Sequence, residues 1–280
     1  MTATNASPAI REHVIERVRH ELKMRLLQVR RTEHISPHMV RITLTGDDLA
    51  GFVSASYDDH VKVIFPLQGE EKPNIPAPGQ PSLSLPPPDD DIRPVMRNYT
   101  PRRYDAASNE LDIDFVLHGD GVASTWAEQA CAGQYLGIAG PRGSFVIPTD
   151  FDWYLLVGDE TALPAIGRRL EELPEGSRAL VLIEIPDAGE QIALTSSAQL
   201  DIRWLHRDGA EAGSTNLLLE ALRVLDLPQG DGYAWVATEL GSVKAIRQHL
   251  IQERGVDKRY VRAASYWKHG ASAHHESHDE

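Results

Sequence analysis

The chain has 280 residues, of which 41% are hydrophobic and 25% are charged. This composition is that of a folded protein, and at about 100–200 residues per domain the length predicts two domains. The formal net charge of −13 argues against nucleic acid as a partner, because such binding depends on Lys and Arg neutralising phosphates. The single cysteine, Cys131, excludes an intrachain disulfide and a cysteine-ligated iron–sulfur cluster.

The first segment, residues 1–22, has no signal-peptide pattern at its start, and no run of about 18 apolar residues occurs in the chain. We therefore expect a cytoplasmic protein without a membrane segment. Apolar residues recur at helical spacing from Ile10 to Leu22, which predicts a short amphipathic lead-in helix before the first strand.

Residues 23–149 show the alternation of apolar and polar residues that is typical of strands. The clearest examples are Val40–Thr45, His60–Phe65 and Leu111–Leu117, and together they predict an antiparallel sheet or barrel. Eight prolines interrupt the stretch from Gln68 to Pro94, which we interpret as a surface excursion between two of the strands.

Beyond a boundary near Pro148 to Asp152, strands and helices alternate, which predicts a parallel sheet with helices on both faces over residues 150–265. Residues 266–280 form a tail. The predicted strands are 153–158, 179–183, 202–205, 233–237 and 260–263, and the predicted helices are 163–173, 214–224 and 242–254.

Two short motifs in the first domain suggest a bound cofactor. The stretch from Arg97 to Arg103 is an alternating strand with a proline, and from the residues alone it is equally an edge strand with exposed arginines. The stretch from His118 to Trp126 is a glycine-containing turn from a strand to a helix. Such a turn can hold a pyrophosphate, because a helix N-terminus offers unpaired N–H groups.

Four motifs in order resemble those of the siderophore-interacting protein family, the FAD-dependent ferric-siderophore reductases of the ferredoxin-reductase-like superfamily. The motifs are Arg-x-Tyr-Thr-x-Arg from Arg97, Asp-Phe-Val-Leu-His-Gly-x-Gly from Asp114, Gly-Pro-Arg-Gly-Ser-Phe from Gly140 and Gly-Asp-Glu-Thr-Ala-Leu-Pro-Ala from Gly158. The resemblance covers about residues 26–270. It implies an α+β protein with two domains, an antiparallel β-barrel that binds FAD and an α/β domain that binds nicotinamide.

The resemblance implies that Tyr99 packs on the isoalloxazine, Thr100 hydrogen bonds near its reactive edge and Arg97 pairs with the pyrophosphate. A guanidinium suits the last task because its fork donates two hydrogen bonds to phosphate oxygens. Trp126 packs under the phosphate turn or on the adenine, or is a plain core aromatic. The other residues assigned to the FAD site are His60, Lys62, Arg102, His118, Gly119, Gly121, Ala123 and Ser124.

In the second domain, the resemblance implies that Asp159, Thr161 and Ala162 line the nicotinamide site, although the glycine-rich dinucleotide fingerprint is absent. Thr161 could equally be a helix cap. Glu239 closes a later strand near the switch point, and Thr238 stands where the family more usually has glycine. Trp267 belongs to a C-terminal segment in which an aromatic covers the flavin.

The ferric siderophore is expected on a partly basic surface beside the flavin. The candidates are Lys244, Arg247, Arg262 and Lys268, for which an ordinary role as solvated surface charges is the alternative. We assign no catalytic side chain and no metal ligand, since electron transfer through a flavin requires neither. The histidines of the tail, His269, His274, His275 and His278, are interpreted as part of a disordered terminus.

These features predict a monomeric ferric-siderophore reductase that passes electrons from NADH or NADPH through FAD to Fe(III), with a ferredoxin as another donor. The alternatives are a flavin-containing siderophore-binding protein without turnover and a general flavin reductase or diaphorase. For the nicotinamide, Glu184, Asp187 and Glu190 follow the second strand and favour NADH. Arg203 and Arg207 lie nearby and would suit the phosphate of NADPH.

Overall fold

The computed structural model describes residues 12–75, 94–119, 121–270 and 276–277. They form two main sheets, one of seven strands and one of six. Most of the predicted proline-rich excursion, residues 76–93, and the tail histidines His274, His275 and His278 lie outside the described residues.

The first domain is a seven-stranded antiparallel sheet in the order β5-β4-β8-β2-β3-β7-β6. Its strands are β2 (Met24–Ser36), β3 (Met39–Thr45), β4 (Val61–Ile64), β5 (Met96–Tyr99), β6 (Arg103–Asp105), β7 (Glu110–Val116) and β8 (Tyr135–Ala139). One helix, α1 (Val122–Glu128), follows β7.

The predicted barrel follows from the strand order. The edge strands β5 and β6 are consecutive in the chain and are separated by residues 100–102, so the sheet curls until its two edges lie close together. Alternating residues then face a single core, in which Leu27, Ile42, Val63 and Ile113 are fully buried.

The second domain is the predicted parallel sheet, in the order β12-β11-β10-β13-β14 with a short antiparallel strand at its edge. Its strands are β10 (Trp153–Asp159), β11 (Arg178–Ile185), β12 (Gln199–His206), β13 (Gly232–Glu239), β14 (Val261–Trp267) and β15 (Glu276–Ser277). Its helices are α2 (Leu163–Glu172), α3 (Leu217–Arg223) and α4 (Leu240–Gln248), and α4 continues as a π-helix over His249–Glu253.

Both faces of this sheet are covered, as the continuous apolar pattern of β10 predicts. Tyr154 and Leu156 pack with α2 on one face, whereas Leu155 and Val157 pack with α3 and α4 on the other. The described helices include none that is long and apolar enough to cross a membrane.

The predicted lead-in helix from Ile10 to Leu22 is wrong over the described residues. Glu16–Arg19 instead form strand β1, which pairs antiparallel with β9 (Gly143–Val146). Two of the apolar residues that gave the helical spacing are exposed, since Val14 and Val18 are 65% and 37% exposed. A helix there would bury no apolar face, whereas the β1–β9 pairing satisfies the backbone groups.

The segment around β1 is held by His13, whose side chain is fully buried. Its ring stacks on Phe151 with centroids 3.8 Å apart, and Nδ1 lies 2.8 Å from Oδ1 of Asp150. The N-terminal segment therefore pairs with β9 in a separate two-stranded sheet and also contacts the start of the second domain.

The two domains share a buried interface. Met39, Tyr57 and Ile147 of the barrel belong to the same apolar cluster as the α2 face of the parallel sheet. At its centre, Asp58 accepts a hydrogen bond of 3.0 Å from Nε1 of Trp235 and forms an ion pair with Arg262. A charge buried at an interface requires such partners, so the barrel has one preferred position on the second domain.

The outer face of the barrel carries a cluster of charges around Glu110. Arg31 donates to both of its carboxylate oxygens, at 2.5 and 3.0 Å, and Nη2 of Arg103 donates at 2.8 Å. The hydrogen bonds from Arg31, followed by those from Arg103, lower the pKa of Glu110 from 4.5 to about 2.

Because this pKa is lowered on folding, the unfolded chain binds the proton more tightly. Glu110 therefore stabilises the barrel above about pH 4.5, and this contribution is lost as the pH falls toward about 2. We expect Glu110→Gln to lower the free energy of unfolding at pH 7 by about 1 kcal/mol, since the arginines are half exposed and screened by water. Urea titrations at pH 7, 5 and 3 measure this, with Glu33→Gln as an exposed control. Equal losses for Glu110→Gln at pH 7 and pH 3 would contradict the assignment.

Candidate functional site

The expected flavin strand is β5, at one edge of the barrel. Its register with β4 pairs Tyr99 with Val61 and Arg97 with Val63, and both valines are fully buried in the barrel core. Directly opposed residues of an antiparallel pair point to the same face, so Arg97 and Tyr99 share the inner face. Lys62 lies on the other face, where its Nζ is 3.2 Å from Oδ1 of Asn98.

Tyr99 is part of an aromatic wall. Its ring centroid lies 4.3 Å from that of Phe115, and Phe65 lies 5.7 Å from Trp126. Burial raises the pKa of Tyr99, so the phenol stays neutral. Trp126 packs against the same barrel core, which agrees with its interpretation as a core aromatic. The wall offers a planar, neutral surface suited to an aromatic ring system.

The turn from His118 to α1 has the backbone of an anion cradle. Gly119 and Gly121 have φ of 79° and 89°, a region that side chains rarely adopt. Gly121 is the N-cap of α1, and as a glycine it supplies no side-chain acceptor for the first N–H groups of the helix. Ser124 is buried and accepts a 3.0 Å bond from N–H of His118, which secures the turn.

The remaining residues assigned to FAD lie around these two features. His60 is exposed just before β4, and Ala123 is buried in α1. Arg97 donates from Nη1 to the carbonyl oxygen of Met96, at 2.9 Å, and the described residues give it no carboxylate partner. Arg102 instead forms two bonds of 2.9 and 2.6 Å to Glu171 of α2. Its contact with a cofactor stays a prediction.

The switch point of the parallel sheet lies between β10 and β13, whose carboxyl ends meet at Asp159. Oδ1 of Asp159 accepts from N and Oγ1 of Thr161, at 2.9 and 2.5 Å. Oδ2 accepts from Oγ1 of Thr238 at 2.7 Å and from Nε1 of Trp267 at 2.8 Å. Burial raises the pKa of Asp159. One carboxylate thus joins three of the segments that surround the switch point.

Two further residues assigned to the nicotinamide site, Ala162 and Glu239, lie near Asp159 at the same edge of the sheet. Ala162 is fully buried under the turn. A Cβ at position 158 would lie 2.4 Å from the Cβ of Ala162, so only glycine fits at position 158. Glu239 is the N-cap of α4 and accepts from N–H of Gly241 and Ser242. The nicotinamide-binding roles of these residues stay predictions.

Of the three acids considered for the ribose, Glu184 lies within β11, and the two that follow the strand have structural partners. Asp187 caps a short turn by accepting from N–H of Gly189 at 2.7 Å. Glu190 reaches the barrel, where it accepts from Oγ of Ser36 at 2.5 Å. Glu184 stays at the sheet edge and accepts from Oγ1 of Thr215 at 2.8 Å.

Arg207, one of the two arginines considered for the phosphate of NADPH, is also at this edge. It forms two bonds of 2.8 and 2.5 Å to Glu160 and lies 3.5 Å from Glu184. Arg203 pairs with Asp201 on the edge strand β12, at 3.5 Å. A cleft of about 280 Å³ separates this edge from the barrel. Its lining includes His38, Leu117, His118, Glu160, Pro186 and Arg207.

The four basic residues assigned to the substrate are not brought to one place. Lys244 on α4 and Lys268 after β14 are exposed on the side of the sheet where β13 and β14 end. Arg262 is near the other end of β14, about 20 Å away at 3.3 Å per residue, and pairs with Asp58 in the domain interface. Arg247 is half-buried on α4. Lys244 and Lys268 are therefore the better placed pair.

Sequence reasoning missed Asp58, Arg168 and Arg169, which lie between the domains. Arg169 is buried, and Arg168 donates to Ser54 and Pro101 of the barrel. The sequence feature that could have identified Arg168 and Arg169 is the position of two consecutive arginines inside the apolar pattern of a helix. Such residues require acceptors from another element when they are buried.

Comparison with known proteins gives two family matches. Residues 28–145 match the siderophore-interacting FAD-binding domain, and residues 151–270 match the siderophore-interacting protein family. The ferric vibriobactin reductase ViuB of Vibrio cholerae serotype O1 is 37% identical over 257 residues, which cover 90% of this chain and 93% of that protein.

Two further similarities cover as much of the chain. The NADPH-dependent ferric-chelate reductase of Escherichia coli K12 is 37% identical over 255 residues, which cover 90% of this chain and 96% of that protein. The crystal structure of a siderophore utilization protein from T. fusca superposes with a TM-score of 0.83 at 40% identity, covering 94% of this chain and 98% of that one.

The bonds of Asp159 lead to a stability prediction. Asp159→Asn replaces one accepting oxygen by an NH₂ group, which leaves at least one of the donors Thr161, Thr238 and Trp267 without its acceptor. We expect the free energy of unfolding to fall by roughly 1–3 kcal/mol. Urea unfolding measures it, with the exposed capping residue Asp187→Asn as the matched control. An equally small loss in both variants would show that the buried bonds contribute little.

Proposed function

Because the chain belongs to the siderophore-interacting protein family, we propose that it is a ferric-siderophore reductase. It takes electrons from NADH or NADPH, passes them through FAD to Fe(III), and so releases Fe(II) from the siderophore. The FAD-binding match and the two reductases of 37% identity support this proposal.

The observation that carries the proposal is the position of Thr100 relative to the switch point. The side chain of Thr100, which ends the flavin strand, is hydrogen bonded to Tyr266 of β14. The next residue, Trp267, donates to Asp159 at the switch point, at 2.8 Å. A flavin at Tyr99 and Thr100 and a nicotinamide at Asp159 would therefore both lie at the carboxyl end of β14, and hydride transfer requires the two rings to be close.

The residues present fit FAD. The aromatic wall around Tyr99 would hold the ring system, while Arg97 and the N–H groups at the start of α1 would hold the two phosphates. When bound, FAD accepts two electrons together from a nicotinamide and delivers them singly, which suits a metal that takes one at a time. Arg97, Tyr99 and Thr100 bind and orient it, and no side chain is required as an acid or base.

Reduction is itself the release step. Hard oxygen ligands of a siderophore hold Fe(III) tightly, and one added electron gives an Fe(II) ion that they bind far more weakly. One NADH or NADPH supplies two electrons and so reduces two ferric ions. Lys244 and Lys268 are both exposed, and their charges would attract an anionic ferric complex.

We further propose that the protein acts as a monomer in the cytoplasm, and that a ferredoxin is an alternative electron donor. We take Glu184 as the acid that would contact the ribose, which favours NADH, and the pairing of Arg207 with Glu160 supports this choice because that guanidinium is already neutralised.

The direct test is anaerobic stopped-flow mixing of the FAD-loaded protein with NADH or NADPH. We expect the visible flavin absorption to bleach, and later addition of a ferric catecholate or hydroxamate to restore it with formation of Fe(II). A protein that no nicotinamide and no ferredoxin reduces would contradict the proposal and indicate a binding protein. Faster turnover with quinones than with any ferric siderophore would indicate a general diaphorase.

Binding of FAD itself can be tested at Arg97. Arg97→Gln removes a charged donor to phosphate, so we expect the Kd for FAD to rise roughly 10- to 100-fold, with Arg97→Lys in between. Quenching of flavin fluorescence on binding measures the Kd. Arg178→Gln, an exposed change of the same charge at the start of β11, is the control. Unchanged affinity in Arg97→Gln would remove Arg97 from the site.

A further inference from the structure

We infer that the second domain positions the flavin-contacting segment Thr100–Arg102, and that Tyr266 and Arg168 are the positioning residues. The inference rests on the proposed function, since it takes Thr100 as a contact of bound FAD. It adds that the redox behaviour of the cofactor depends on contacts made by the other domain.

Each of the three residues in this segment has a partner in the second domain. The side chain of Thr100 is hydrogen bonded to that of Tyr266 on β14. The carbonyl oxygen of Pro101 accepts from Nη1 of Arg168 at 3.1 Å, and Arg102 forms a two-bond ion pair with Glu171. The segment is only 7% exposed at Thr100. Its conformation is therefore determined by α2 and β14 as well as by the barrel.

Arg168 has a second set of barrel contacts, which fixes its guanidinium. Nη1 donates to Oγ of Ser54 at 2.8 Å and Nη2 donates to the carbonyl oxygen of Ser54 at 2.9 Å. Its Nε is bonded to Glu172 on the same helix, at 2.8 Å. A guanidinium with acceptors on three sides has little rotational freedom, and a lysine could not reproduce this fork.

Helix α2 has a glycine at the point where the segment Thr100–Arg102 approaches it. Gly167 of α2 lies under Arg102, and a Cβ at this glycine would stand 3.3 Å from Nη2 and 3.4 Å from Nε of that arginine. Glycine is otherwise unfavourable inside a helix. Its presence here is explained by the close approach of the guanidinium to the helix backbone.

The chemical consequence concerns the hydroxyl of Thr100. A hydroxyl can donate one hydrogen bond and accept others, so the bond with Tyr266 fixes how the Thr100 hydroxyl is oriented toward the cofactor. Hydrogen bonds in such a chain strengthen one another. A donor at the reactive edge of a flavin stabilises its electron-rich reduced form, and protein groups near the ring are a recognised means of tuning it.

The experiment compares Tyr266→Phe with Tyr233→Phe in the FAD-loaded protein. Both variants remove one buried hydroxyl at the same interface, but the Tyr233 hydroxyl has no hydrogen-bond partner among the described residues. We expect Tyr266→Phe to shift both the midpoint potential and the visible spectrum of bound FAD, because the Thr100 hydroxyl loses the bond that orients it. Tyr233→Phe should leave both unchanged, and both variants should keep the wild-type circular dichroism.

Arg168→Lys is the second variant, and it keeps the charge while losing the fork. We expect it to shift the potential in the same direction as Tyr266→Phe, with the Kd for FAD raised about tenfold or less. Gly167→Ala provides an independent check. It should raise thermal stability if Arg102 can move away freely, and should lower it and shift the spectrum if the segment is held as inferred.

The outcomes separate this inference from the proposed function. Wild-type potential and spectrum in both Tyr266→Phe and Arg168→Lys would overturn the inference, even if the wild-type protein binds FAD and is reduced by a nicotinamide. Wild-type protein that binds no FAD would overturn the proposed function and the inference together. Shifts of equal size in Tyr266→Phe and Tyr233→Phe would also overturn it, because a general loosening of the interface would then explain both.

Discussion

The arrangement of the whole molecule depends on the buried charge of Asp58. This carboxylate comes from the barrel, yet its partners are Trp235 and Arg262 of the parallel sheet. Removing one partner of a buried ion pair commonly costs about 3–5 kcal/mol, because the other charge is left without compensation. Apolar contacts alone would tolerate a range of domain orientations, whereas this directional pair favours one.

That single orientation makes a site out of two separate halves. The barrel supplies an aromatic wall and a helix start whose N-cap is Gly121, and the sheet supplies the switch point at Asp159. Neither half alone brings a flavin and a nicotinamide together. The hydrogen bond between Thr100 and Tyr266 lies where the halves meet, so the segment after β5 is held by the second domain as well as by the barrel.

The carboxylates of the protein have several different local roles. Many carboxylates neutralise nearby arginines, as Glu110 and Glu160 do, and others cap turns or helices, as Asp187 and Glu239 do. These are local tasks that leave the fold stable near neutral pH. Lys244 and Lys268 remain exposed on the second domain of a protein whose net charge is strongly negative.

The sequence by itself determined the class of each domain and the order of the cofactor motifs. Alternation with period two and the strand–helix rhythm are local properties, and they are retained in the barrel and the parallel sheet because each sheet buries its apolar face independently. The motif from Arg97 to Arg103 likewise predicted a strand, and β5 covers Met96–Tyr99.

Only the tertiary structure decided the contacts between elements that are distant in the chain. The segment before β2 has helical spacing but pairs with β9, because an available strand edge satisfies its backbone and a helix would bury nothing. Arg262 was expected at a surface, and its charge is instead neutralised by Asp58, 204 residues earlier. Spacing along a chain carries no information on such partners, since they are set by how the two finished domains fit together.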